Sequence, residues 1–197
     1  MLTLLLLASP AIAASTPEPY PTIAVLEAFG DACRNVENLK TVETDLIKQQ
    51  WTAEIPPPDS PLGQLLAKGR SQAAEILDDP DDKMSDTRVY TKTIAGERLD
   101  IILSSIESNG TFVNGCRMYD VAETRQLETA DAQRWIGRDP DKSIDRTELT
   151  IASWSPGYHA PHDSFEIFYV PAGSPVVELT TFNGIALKAD FVGEIEE

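Results

Sequence analysis

Histidine and cysteine are scarce in this 197-residue chain, with two of each. A zinc or other transition-metal site needs three or four N, O or S ligands. Carboxylates would therefore have to complete any set built on His159 and His162. No C-x-x-C pair, G-x-S-x-G elbow, G-x-G-x-x-G fingerprint or phosphate-binding P-loop occurs, which removes the usual sequence signatures of thiol redox, serine hydrolase and nucleotide chemistry. Basic residues are few as well, 16 against 32 acidic, for a formal net charge of −16. Such a surface repels nucleic acid and anionic lipid. No run of 18 apolar residues is present, so no transmembrane helix is expected.

What is present begins with MLTLLLLASPAIAAS. An apolar run from Leu2 to Ala8, a breaker at Pro10 and the triplet Ala11-Ile12-Ala13 form a hydrophobic region and a cleavage-like site. Residues 1–13 are read as a signal peptide without its basic start, and 14–21 as an extended, proline-rich leader. The expected compartment is the periplasm or the exterior of a bacterial cell. In that setting two cysteines favour a bridge between Cys33 and Cys116.

Residues 22–197 read as a single α+β domain. Ile23, Leu26, Phe29 and Cys33 fall on one helical face, with Thr22 as cap. Further helices are expected over 40–50 and 62–77, the latter with Leu62, Leu65, Leu66, Ala73, Ile76 and Leu77 as its apolar set and with Gly63 and Gly69 weakening it. The stretch 87–122 reads as a three-stranded meander. Asn109-Gly110 is a type I′ hairpin signal that places Ser108 opposite Thr111, Leu103 opposite Cys116 and Ile101 opposite Met118. One face then carries Leu99, Ile101, Leu103, Phe112, Cys116 and Met118. The other carries Ile102, Ile106, Val113 and Tyr119, enough apolar area to be partly covered. A middle helix over 128–136 precedes four more strands, at 147–154, 164–170, 175–182 and 185–192, with Asn183-Gly184 as a second hairpin. The expected architecture is an antiparallel sheet of two meanders, about seven strands, packed by the N-terminal helices and one middle helix.

The chemical candidates are few. His159, His162 and Asp163 sit in GYHAPHDSFEIFY, where Pro156, Gly157 and Pro161 forbid a regular helix. The three are the candidate metal ligands. Asp139 to Thr150 imitates a calcium loop but carries Ile144 where glycine is needed and Thr150 where a bidentate glutamate belongs. Trp51, Trp135 and Trp154 read as core. The layout, an export signal with one cysteine on a helix and the other in a sheet, resembles that of small periplasmic proteins. The favoured expectation is an exported, non-catalytic binding or envelope-associated protein, needing no cofactor and taking a small ligand or an envelope protein as partner. The alternative is a metal-binding protein or metal-dependent enzyme using the His159/His162 loop. A third expectation is a small-ligand carrier that uses the second face of the sheet.

Overall fold

The computed structural model describes residues 18–77, 79 and 81–195. The expected signal and the first part of the leader, 14–17, lie outside them. Among the described residues the chain is α+β, with five helices and nine strands. The helices are α1 (Thr22–Ala32), α2 (Leu39–Lys48), α3 (Pro61–Ile76), α4 (Thr129–Ile136) and α5 (Val176–Thr180). The strands are β1 (Thr52–Glu54), β2 (Lys83–Met84), β3 (Arg88–Ile94), β4 (Glu97–Ser108), β5 (Thr111–Val121), β6 (Lys142–Arg146), β7 (Leu149–Trp154), β8 (Ser164–Val170) and β9 (Gly184–Glu194).

The strands form one antiparallel sheet in the order β1-β3-β4-β5-β9-β8-β7-β6, with β2 on the edge of β4. The first hairpin forms in the register that Asn109-Gly110 dictates. Ser108 faces Thr111, Leu103 faces Cys116 and Ile101 faces Met118, and both turn residues have positive φ. The last strand, β9, returns to the middle and pairs with β5 along its whole length, from Thr111↔Glu194 to Val121↔Gly184. That pairing joins the two halves.

One face of the sheet is sealed. Val25, Leu26 and Phe29 of α1, Val42 and Leu46 of α2, and Ala132 of α4 bury against Leu99, Ile101, Leu103, Met118, Phe165 and Leu187. Gly30 lets α1 meet α4 closely, because a Cβ there would lie 2.6 Å from the Trp135 ring. The Cys33–Cys116 disulfide ties the end of α1 to β5 across 83 residues, with Cα atoms 5.7 Å apart. Closing so long a loop stabilises the fold by about 4–5 kcal/mol in the chain-entropy account.

Four local expectations are corrected. Thr22 lies inside α1, whose N-cap is Pro21, and Ile23 is exposed while Val25 and Ala32 are buried; the apolar stripe is rotated. The span 175–182 is not a strand but carries the short helix α5, Val176–Thr180. The Ser174 hydroxyl accepts from the Val176 amide at 3.1 Å and Pro175 sits in the αR region, so a turn-starter overrides the β preference of Val176-Val177. Asn183-Gly184 therefore closes no two-residue hairpin. Gly184 is required because a Cβ there would lie 2.1 Å from the Asp120 carbonyl oxygen. Finally, the calcium-like stretch forms the hairpin β6–β7, with Ile144 opposite Ile151. All of β6 is exposed, so it has no alternation to read; β1, β2 and β6 add three strands to the expected seven, and loss of the 175–182 strand leaves nine.

Candidate functional site

The second face of the sheet is covered only in part. A smaller cluster gathers Leu62, Val89, Ile102, Tyr119, Val170, Phe182 and Ala186. Helix α3 lies over it, started by the Ser60 hydroxyl, which accepts from the Gly63 amide at 3.1 Å, and by Pro61 in the first turn. Gly63 seats the helix against the proline loop, since a Cβ there would meet the Pro57 carbonyl oxygen at 2.1 Å. Along the stripe that faces the sheet, bulk then falls away. Leu62 and Leu66 are followed by Gly69 and Ala73, and a Cβ added at Gly69 would meet nothing within 4 Å.

The gap is a cavity of about 460 Å³ between α3, α5 and the sheet, within the size range of small-molecule sites. Its walls are mainly apolar, including Leu65, Leu66, Ile102, Phe168, Val176 and Ala186. Its charged residues are all of one sign: Lys68 and Arg70 from α3, Arg117 from β5 and Lys188 from β9. Among the described residues no carboxylate lines it. In a chain with two acids for every base, composition alone predicts the opposite.

The sheet register creates the basic pair. Arg117 lies directly opposite Lys188, and Lys188 directly opposite Glu166. Two like charges in facing positions destabilise a sheet. Each is compensated from the side. Arg117 donates to the Ser104 hydroxyl at 2.7 Å and to Asp190 at 3.1 Å. Its guanidinium lies over Gly115, where a Cβ would come within 2.2 Å of Nη1. The Lys188 ammonium is 3.9 Å from Glu166 and 4.2 Å from the Phe168 ring centre, a cation–π distance. Burial pushes the Lys188 ammonium below its ordinary range, and the neighbouring Arg117 charge pushes the same way.

The histidine loop is built differently. The Ser155–Pro156 and Ala160–Pro161 peptides are cis, and the loop folds back so that the Gly157 amide donates to the His162 carbonyl at 3.0 Å. His162 is 1% exposed. Its Nε2 bonds the Arg34 carbonyl at 2.8 Å, so Nε2 carries the hydrogen and Nδ1 has no partner. Burial lowers its pKa. An Asp163 carboxylate oxygen accepts the Val192 amide at 2.6 Å. His159 and Asp163 are exposed and His162 is buried; His159 lies on a concavity it shares with Glu27, Asp31, Arg34, Trp135 and Tyr158. The ring centres of His159 and His162 are 5.8 Å apart, and the three candidates form no three-donor set of ligand dimensions among the described residues. Trp51 and Trp154 are buried in the main core, and Trp135 packs on it.

The described residues do contain one compact carboxylate trio, Glu97, Asp120 and Glu123. The Arg125 guanidinium already fills it, 2.8 Å from Glu97 and bonded to Glu123. Tyr20 donates to Asp120 at 3.0 Å. Burial raises the Asp120 carboxyl to about 6, whereas the Arg125 partner holds Glu123 down at about 2.

No protein-family model matches the chain, and neither a characterised protein nor a solved structure matches it. The class is thus defined by the fold and the cavity alone: an α+β protein with a large antiparallel sheet, sealed on one face and hollow on the other. No helix among the described residues is long and apolar enough to cross a membrane.

Proposed function

We propose that this protein is an exported, non-catalytic binding protein that holds a small, largely apolar molecule in the cavity beneath α3. The observation that carries this reading is the break in packing at Gly69 and Ala73, which leaves about 460 Å³ over an apolar sheet surface. A concave, mainly apolar surface of this size over a sheet face has the dimensions and lining of sites that take small molecules. The disulfide fits an oxidising compartment, and the apolar leader fits export.

The test uses the uncharged dye N-phenyl-1-naphthylamine, whose fluorescence rises in apolar surroundings. The folded chain should bind it saturably at one site. Gly69→Phe places a ring in the empty volume and should weaken binding by at least about tenfold. The same change should leave the fold intact, because replacing an interior helical glycine gains a few tenths of a kcal/mol, about 0.3–0.5. Absence of saturable dye binding, or binding indifferent to Gly69→Phe, would defeat the reading.

A further inference from the structure

The cavity is charged as well as apolar, and that charge narrows the chemistry of its ligand, provided the binding reading proposed above holds. On the sheet side, Arg117 and Lys188 are balanced by Asp190 and Glu166. On the helix side, Lys68 and Arg70 enter no ion pair among the described residues. The walls facing the cavity therefore carry a positive surplus on a protein of charge −16. Lys188 is the best placed of the four. Its side chain is 30% exposed, and its nearest carboxylate stands at 3.9 Å, beyond hydrogen-bond distance. Its ammonium lies over the Phe168 ring, at the seam between the apolar wall and the basic row. A lone buried cation is costly; this one retains donor capacity directed to a space that an anion can enter.

We infer that the ligand is an amphipathic anion, an aliphatic monocarboxylate whose chain lies along Leu66, Ile102 and Phe168 and whose carboxylate is held by Lys188 beside Arg117. Lys68 and Arg70, across the cavity, bias its approach electrostatically. A neutral chain of equal length gains the apolar burial but not the charge-assisted hydrogen bond. An ammonium-headed chain meets a surplus of like charge.

The experiment displaces bound N-phenyl-1-naphthylamine with decanoate, decanol or decyltrimethylammonium. Decanoate should displace the dye at roughly one-tenth the concentration of decanol, the scale of one charge-assisted hydrogen bond, and the ammonium compound should be the weakest. Raising the salt concentration should narrow the decanoate–decanol gap, because the Lys68 and Arg70 contribution is screened. In Lys188→Met, which keeps an unbranched apolar stem, the gap should shrink to about twofold when each displacement is referred to the variant's own dye affinity. Equal potency of decanoate and decanol in the unaltered chain would overturn the anion inference and leave the cavity reading standing. An unchanged gap in Lys188→Met would remove Lys188 from the role. Failure of the dye to bind at all would overturn both. Should Lys188→Met not fold, the comparison of the three chains and its salt dependence in the unaltered protein decides the matter.

Discussion

The two faces of this sheet are made by the same strands and finished in different ways. Ile101 and Ile102 are neighbours on β4, yet Ile101 is buried under α1 and α2 in the main core, whereas Ile102 lines the cavity beneath α3. The sealed face has a disulfide, three helices and interlocking aromatic rings, with Phe165 between Phe29, Trp154 and Tyr158. The hollow face has one helix with a glycine and an alanine where bulk belongs, a five-residue helix, and a row of charges. The packing that stabilises the fold is concentrated on the first face; the second is the one proposed above to hold a ligand.

The sharpest way to break this division is on the sealed side. Replacing both Cys33 and Cys116 by serine should lower the unfolding free energy by about 4 kcal/mol in urea titration, while the fraction still folded binds dye as before. Next, Ile101→Ala and Ile102→Ala should differ although the chemistry is identical. The first opens a new hole in a packed core and should cost about 3–4 kcal/mol. The second enlarges a hollow that already exists and should cost about 1–2 kcal/mol, with a change in dye affinity that Ile101→Ala does not produce. Equal costs would mean that the two faces are packed alike.

A smaller effect should appear with pH. Asp120 is the acidic exception on the sealed face. Its folded pKa of about 6 lies above its ordinary 3.8, so the folded state binds the proton more tightly. The associated stability is full below pH 3.8 and is lost as pH rises through about 6. Asp120→Asn should therefore stabilise the protein by about 1–2 kcal/mol at pH 7.5 and leave it nearly unchanged near pH 4, as thermal melts at the two pH values would show. His162 acts in the opposite sense. Its pKa is depressed from 6.5 by burial, so its contribution is full above pH 6.5 and falls as pH drops below it. In His162→Gln that loss between pH 6.5 and 5 should disappear from the same melts.

Sequence patterns exposed the sealed face well and the hollow one poorly, for physical reasons. Asn109-Gly110 determined the β4–β5 register because both turn positions need positive φ, and that register alone placed Cys116 toward α1. The same dipeptide at Asn183-Gly184 misled, because Gly184 serves a close backbone approach to Asp120 and not a turn. The partial cover over Ile102 and Tyr119 was foreseeable from their apolar character. The cavity was not, since it depends on where α3 lies, and the Arg117–Lys188 pair exists only through the long-range β5–β9 register. Gly69 was the available signal: read as a defect in a helix, it is the position that leaves the volume open. His162 and Asp163 drew attention as rare or acidic residues, and both are engaged by backbone groups.

Whether the face beneath α3 is the binding surface is decided most directly by amide chemical-shift mapping of the folded chain with saturating N-phenyl-1-naphthylamine. Shifts should concentrate at Leu66, Gly69, Ile102, Phe168 and Ala186, with Leu26, Phe29 and His159 silent. Shifts centred on His159 and Trp135, or scattered over the surface with no change around Gly69, would contradict the assignment of the ligand to the hollow face.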